Sequence, residues 1–216
     1  ARFLQDVASD DSRDAGFEAP GGVWVVRRTV VRIDQRPRLD DEVRLTTFLG
    51  GAGPRWAERR TTVHDLEVGD GRGRPVAQVA ALWVYVDRGS GFPKPVPDGF
   101  TEVWGDAGGR RISGRLLHRD RPAGGSAPRP WVLRATDFDM LGHVNNAAYW
   151  AVVEEELARR GLTGAGGRFE LEYRLPVEPH HDVGVLVAGG EGGGFDLWIV
   201  GEGGVHATAR ALPTSP

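Results

Sequence analysis

Two tandem α+β units, each an antiparallel sheet wrapped on one long helix, are what this sequence predicts, and three observations predict them. One element order, a helix, a long strand and three further strands, runs through both halves. The strand candidates in each half are apolar and β-branched or alternate at period two. A stretch rich in Gly, Pro, Ser, Ala and Arg separates the halves and sets the boundaries at 1–104, 105–129 and 130–216. A single helix followed by a meander forms a second layer over the sheet's apolar face, which is the α+β solution.

Taken in order, Ala1 to Ala8 reads as the tail of a helix, closed by the polar residues Ser9 to Gly16. Strands are predicted over Val23 to Ile33, Val43 to Leu49, Pro54 to Leu66 and Val76 to Asp87, with turns at Pro37, Asp40-Asp41, Gly50-Gly51 and Gly69 to Gly73. Phe92 to Phe100 is Pro-rich and irregular. The linker carries Arg110, Arg111, Arg115, Arg119, Arg121 and Arg129 and a short ordered piece at Ile112 to His118. In the second half an extended segment, Pro130 to Ala135, leads to a helix over Asn145 to Arg160, then strands over Phe169 to Leu175, Val183 to Ala188, Phe195 to Val200 and Val205 to Leu212. When F-L-Q-D-V-A near Phe3 is matched to V-V-E-E-E-L-A near Val152, the first copy lacks its opening strand and a loop, roughly 20 residues. A segment ahead of Ala1 is therefore expected in the original protein.

Composition narrows the function classes. The hydrophobic fraction of 40% and charged fraction of 26% are those of a globular protein, and a net charge of -3 argues against a dedicated nucleic-acid binder. No run of 18 apolar residues is present, so no membrane span is read, and the default location is the cytoplasm. With no cysteine, disulfides, thiolate zinc sites and a cysteine nucleophile are all excluded. Only Lys94 is lysine and glycine numbers 32, a habit of composition more than of function.

Chemistry concentrates in T-D-F-D-M-L-G-H-V-N-N-A-A-Y-W-A-V-V-E-E-E, Thr136 to Glu156. Two carboxylates, a Gly turn with a His, and an Asn opening an Ala-rich helix converge within about ten residues. Asn is a favoured N-cap, and first-turn amides form a site for developing negative charge, as a tetrahedral oxyanion requires. The same residues serve equally as turn formers and caps. Elsewhere no G-x-S-x-G elbow and no phosphate loop occur. His180-His181-Asp182 is read as non-metal, because neighbours on an extended strand point to opposite sides, and Asp137-x-Asp139 lacks the acidic partners of a cation site.

The loop D-x-D-x-x-G-H-V-N-N-x-x-Y resembles that of hotdog-fold thioesterases, most closely the second half of acyl-acyl-carrier-protein (acyl-ACP) thioesterases. R-W-A-E-R-R near Trp56, A-L-W-V-Y-V-D near Trp83 and L-E-Y-R at Leu171 to Arg174 extend the resemblance over nearly the whole chain. It implies a double hotdog, and it implies that Asp139 and His143 carry out thioester hydrolysis without metal or cofactor. Plant members carry an Asn where this chain has Leu141 and a Glu-Cys where it has Pro176-Val177. Simpler hotdog enzymes, the 4-hydroxybenzoyl-CoA thioesterases, use one Asp and helix amides, and Asp139 fits that position too.

The minimal mechanism follows. Asp139 is general base or nucleophile, the amide near Asn146 stabilises the oxyanion, His143 positions the carbonyl, and Glu155 is a candidate second carboxylate. Asn145, Tyr149, Trp150 and Val153 are expected to line the acyl slot. The partner is acyl carrier protein or acyl-CoA, with the carrier favoured by the resemblance and a homodimer left open. Arg27, Arg28, Arg59, Arg60 and the linker arginines are the candidate docking charges, with an ordinary solvated face as the alternative for the linker cluster. A non-catalytic thioester-binding protein and a hydratase are the alternatives.

Overall fold

The computed structural model describes residues 2–17, 21–66, 73–105, 113–117, 119–122, 127–162 and 166–214. It divides into two compact units, Ala1–Arg115 and Leu116–Pro216. Parts of the predicted linker, including Arg110, Arg111, Ile112 and His118, and the turn at 69–72 lie outside the described residues.

Unit 1 runs α1 (Arg2–Asp14), β1 (Gly22–Ile33), β2 (Val43–Gly53), β3 (Trp56–Asp65), β4 (Arg74–Asp87) and α2 (Phe100–Trp104). Its strands pair antiparallel in the order β2-β3-β4-β1. Two boundaries differ from expectation. The helix α1 continues to Asp14, past its predicted end at Ala8, because its polar residues find partners on the helical frame. The hydroxyls of Ser9 and Ser12 donate to the carbonyls of Gln5 and Ala8, each at 2.9 Å, and Asp11 pairs with Arg59 of β3. Strand β2 likewise runs through the predicted Gly turn to Gly53, and the register shifts between Leu49 and Gly51. A Cβ on Gly50 would lie 2.9 Å from Cγ of Arg60, so glycine allows this bulge.

The short helix α2 was not foreseen. It is anchored by Phe100, which is buried and stacks on Phe17 and Trp24, each with ring centroids at 5.5 Å. Trp24 in turn meets Tyr85 at 5.1 Å. The unit's core is completed by Val26, Val76, Val79 and Leu82.

Unit 2 runs β5 (Arg129–Trp131), a 3-10 turn (Ala135–Asp137), α3 (Asn146–Arg159), β6 (Gly167–Tyr173), β7 (Val183–Gly189), β8 (Phe195–Gly201) and β9 (Gly204–Pro213). The antiparallel order is β6-β9-β8-β7-β5. Strand β5 is shorter than the extended segment predicted over Pro130 to Ala135. The remaining strands and α3 lie within one or two residues of their predicted spans.

Helix α3 buries Tyr149, Val152, Val153, Glu156 and Leu157, the spacing of one helical face. The face is tied to the sheet at several points. Tyr149 stacks edge-on with Trp131 of β5 at 5.4 Å and with Tyr173 of β6 at 5.3 Å, and the Tyr173 hydroxyl donates to the Asn146 carbonyl at 3.1 Å. Glu156 is held by Arg160 at 2.8 Å and faces Arg129 of β5 at 3.6 Å. Arg160 also lies over the ring of Phe195 at 5.0 Å. Among the described residues no helix is long and apolar enough to cross a membrane.

Several arginines read as docking charges have structural partners instead. Arg119 pairs with Asp196 at 3.6 Å, and its carbonyl accepts from the Trp198 indole at 3.1 Å. In unit 1, Arg28 donates to the carbonyls of Ser113 and Arg115, and Arg60 pairs with the buried Glu58 at 2.7 Å. Guanidinium groups fixed in this way supply planar donors to the fold before they supply a surface field.

Candidate active site

The loop between the 3-10 turn and α3 is a miniature hairpin closed by its own residues. Phe138 and Val144 form an isolated antiparallel bridge, and the Asp139 amide donates to the His143 carbonyl at 2.9 Å. The Gly142 amide donates to the Asp139 carbonyl at 3.0 Å, and Gly142 has φ 76, the left-handed region that favours glycine. Inside this turn Oδ1 of Asp139 accepts from the Leu141 amide at 2.9 Å and, at 3.4 Å, from that of His143. Among the described residues no hydrogen bond reaches Oδ2, and the residue is half-buried.

Asp137 has a different task. One of its carboxylate oxygens accepts from the Arg134 amide at 2.8 Å, and its carbonyl accepts from the Asn145 amide at 2.7 Å. It therefore fixes where the helix cap begins.

The cap then distributes the first-turn donors of α3. The Asn145 side chain accepts from the Ala147 amide at 2.8 Å, and the Asn145 carbonyl accepts from the Ala148 amide at 2.8 Å. Among the described residues the Asn146 N–H has no acceptor. A helix start with two amides satisfied internally and one unsatisfied offers a single, directed donor with the helix dipole behind it.

Beneath the loop, Val177 is fully buried, and its carbonyl accepts from the Val144 amide at 2.9 Å. Its backbone also hydrogen-bonds the Tyr149 phenol, which lowers that group's pKa, but burial acts more strongly in the other direction. The negative charge of Asp139 adds to the burial effect, so the phenol stays protonated far above the ordinary tyrosine range. The tyrosine is thus a neutral group beside Asp139, whereas sequence reasoning assigns it only a substrate contact. Tyr173 and Val177 were missed as supports. The Y of L-E-Y-R was the available signal for the first, and a backbone role leaves no signal for the second.

Each predicted site residue now has a position. Asp139, His143, Asn145 and Asn146 share the loop and helix start, and the imidazole of His143 makes no hydrogen bond among the described residues. Glu155 does not join them. It is 55% exposed and pairs with Arg159 at 3.0 Å, whereas the buried acid of α3 is Glu156. The helical phase decides this: Glu156 continues the row of Tyr149, Val152 and Val153, and Glu155 lies about 100° away from it. Tyr149 and Val153 are packed in the core, and the Asn145 side chain is occupied as a cap, so Trp150, half-buried, is the remaining candidate for contact with substrate.

A cleft of about 780 Å³ opens elsewhere in unit 2, lined by residues including Arg121, Trp131, His181, Asp182 and Val205 but not by Asp139 or His143. Beside it, Glu178, His180 and His181 bring possible metal-ligand atoms within 4.8 Å of one another. The two histidines were expected on opposite sides of a strand. They sit instead in a turn before β7, closed by the His181 amide donating to the Glu178 carbonyl at 3.0 Å, with the rings 4.5 Å apart. The Nδ1 lone pair of His181 is taken by the Glu178 amide at 3.1 Å, so only Nε2 of that ring remains as a ligand atom.

Comparison with known proteins decides the family. The model of the acyl-ACP thioesterase N-terminal domain matches residues 1–104, and that of the acyl-ACP thioesterase C-terminal domain matches residues 125–211. The chain belongs to the acyl-ACP thioesterase family. Its architecture is that of tandem hotdog thioesterases, and its activity class is thioester hydrolysis of the acyl-ACP or acyl-CoA type. An uncharacterised protein of Mycobacterium tuberculosis is 27% identical over 181 residues, covering 82% of this chain and 69% of that protein. A chloroplast acyl-[acyl-carrier-protein] hydrolase of Cuphea viscosissima is 27% identical over 158 residues, 70% of this chain and 37% of the relative. Among solved structures, the 12:0-ACP thioesterase from Umbellularia californica superposes with a TM-score of 0.78 at 20% identity, covering 99% of this chain and 88% of that one.

Within this family member the unusual apolar positions have backbone duties. Leu141 is 70% exposed and contributes its amide to Asp139. The Pro176 carbonyl lies 2.9 Å from Nδ1 of the buried His206, and Val177 carries the contacts to Val144 and Tyr149. Removing the cap tests this architecture: Asn145→Ala should lower stability by about 1 kcal/mol in chemical denaturation, with Asn145→Asp close to the parent. An unchanged midpoint in Asn145→Ala would show that the cap does not organise the helix start.

Proposed function

We propose that this chain releases a fatty acid from acyl-ACP, with Asp139 as the reacting carboxylate and the Asn146 amide as the oxyanion donor. One observation carries the reading. Hydrogen bonding within one loop engages Oδ1 of Asp139 and the amides of Ala147 and Ala148, and among the described residues it leaves Oδ2 and the Asn146 N–H for substrate.

In the general-base form, Oδ2 takes a proton from water as the water oxygen bonds to the thioester carbonyl carbon. The carbonyl electrons move onto oxygen, where the Asn146 N–H donates to them in the tetrahedral state more strongly than in the ground state. Collapse restores the carbonyl, breaks the carbon–sulfur bond and returns the proton to the departing thiolate. In the nucleophile form Oδ2 itself bonds to the carbon, the carbon–sulfur bond breaks as the thiolate leaves and takes a proton from water, and the hydroxide so formed hydrolyses the anhydride to the fatty acid and the free Asp139 carboxylate. His143, whose imidazole has no hydrogen-bond partner among the described residues, orients the carbonyl in either form.

Asp139→Asn is expected to reduce thioester hydrolysis by about 10²–10⁴-fold, the usual cost of a lost general base, without loss of fold. Asp137→Asn, which changes a carboxylate held by the Arg134 amide and leaves the carbonyl under the helix cap in place, should change rate far less, and His143→Ala should fall between the two. Free-thiol release from an acyl thioester is the readout. Full activity in Asp139→Asn would reduce Asp139 to a turn residue, and activity absent from the parent would favour the thioester-binding alternative.

Preference for the carrier protein over CoA is supported by the family alone, because both donors carry a phosphopantetheine arm and negative charge. A steered acidic carrier should associate more slowly as salt rises. kcat/KM for one acyl chain on each donor, measured across an ionic-strength series, checks this. The expected result is a carrier advantage that shrinks with salt. A CoA thioester turned over as well as the carrier-linked one would overturn the donor assignment and leave the hydrolase standing.

A further inference from the structure

The cleft of about 780 Å³ in unit 2 is not lined by the catalytic loop, and its volume is that of a small-molecule site. Register builds one wall. Pro130 of β5 is paired with Gly184 of β7, Gly184 with Val200 of β8, and Val200 with Val205 of β9. Cross-strand partners share a face of the sheet, so these residues form an apolar row in which Gly184 contributes no side chain. Pro128 takes up that space, since a Cβ on Gly184 would lie 2.7 Å from Cβ of Pro128. Val132, 79% exposed, adds an apolar lip.

The titratable side chains of the lining are Arg121, His181 and Asp182. Arg121 is exposed and, among the described residues, makes no ion pair or hydrogen bond, so it does not reach Asp182. His181 accepts the Glu178 amide at Nδ1, at 3.1 Å. An imidazole that accepts at Nδ1 carries its proton on Nε2, so the remaining ring nitrogen offers a donor, and a metal ion would have to displace that proton. Two donors over a hydrocarbon wall suit an apolar ligand with an anionic head. Asp182 on the same lining opposes a head of more than one negative charge.

The cleft adjoins the supports of the catalytic loop. Trp131 lines it and stacks on Tyr149 at 5.4 Å. Pro179 lines it two residues after Val177, whose carbonyl holds the Val144 amide at 2.9 Å. Two residues span at most about 7 Å.

We infer that this cleft is a second site, apart from the catalytic one, for the released fatty acid, with Arg121 and the Nε2–H of His181 donating to its carboxylate and the row from Pro130 to Val205 taking its hydrocarbon. Hydrolysis creates this pairing of charge and chain. The same carbon is uncharged in the thioester, so the cleft selects product over substrate. The identity of the ligand as product rests on the hydrolase reading, whereas the cleft and its charge do not.

The test follows backbone amide shifts of the whole labelled chain during titration with octanoate, octanol or phosphopantetheine. The first two share a chain and differ in charge. Octanoate should move the amides of Gly184, Gly201 and Val205 and bind about fivefold more tightly than octanol, the weight of one exposed charge-assisted hydrogen bond. Arg121→Gln should abolish that preference and leave the affinity for octanol within about twofold. Equal affinity for the two, a preference that survives Arg121→Gln, shifts confined to unit 1, or no binding at all would each overturn the inference. Tighter binding of phosphopantetheine at the same amides would also overturn it and would assign the cleft to the donor's phosphate. No thioester is present in these titrations, so failure here and failure of the hydrolase reading in the thiol-release assay remain distinguishable.

Discussion

The carboxylate of Asp139 accepts the Leu141 amide through one oxygen only, and the rest of the candidate site depends on that division. A turn that engaged both oxygens would make a stable corner with nothing to offer a substrate. Here Gly142 lets the chain reverse within the reach of Oδ1, and Oδ2 stays without a donor among the described residues. The division is repeated at the helix start, where the Asn145 cap takes the Ala147 amide and the Asn146 N–H is left over. Desolvation gives both leftover groups their weight, since hydrogen bonds to developing charge are stronger away from bulk water.

Support for this arrangement comes from below the loop and is largely apolar or backbone in character. Tyr149 is kept neutral by its burial and by the Asp139 charge beside it, so no second ionised group competes with the carboxylate. Trp131 and Tyr173 fix the ring from β5 and β6, and the buried Val177 joins the loop to the phenol through its backbone. The positions where plant relatives were expected to carry polar side chains thus contribute main-chain hydrogen bonds in this protein. A minimal mechanism with one carboxylate and one amide is compatible with that substitution.

How much of this was legible in the sequence depends on which atoms carry the information. Strand spans and α3 could be read because side-chain periodicity records burial, and Asn145 and Gly142 because caps and left-handed turns constrain residue type. The extension of α1 through Ser9 to Asp14 was hidden, since its polar residues look like a loop until Arg59 and the i-4 carbonyls are supplied. Glu155 was chosen over Glu156 because three consecutive glutamates blur the phase of the helix, and only packing shows which one faces inward. The arginines were read as a surface field because charge is visible in a sequence, whereas the carbonyls of Ser113 and Arg115 that hold Arg28 are not.

The central claim is that the Asn146 N–H, and no other first-turn amide, meets the oxyanion. Amide proton and nitrogen shifts of Asn146, Ala147 and Ala148, followed while an acyl trifluoromethyl ketone is titrated into the labelled protein, test it most directly, because the hydrated or ionised ketone oxygen imitates the tetrahedral state. The account predicts a pronounced downfield move of the Asn146 proton, with Ala147 and Ala148 nearly still. A ligand that binds but leaves Asn146 unmoved, or that shifts Ala147 instead, would contradict it.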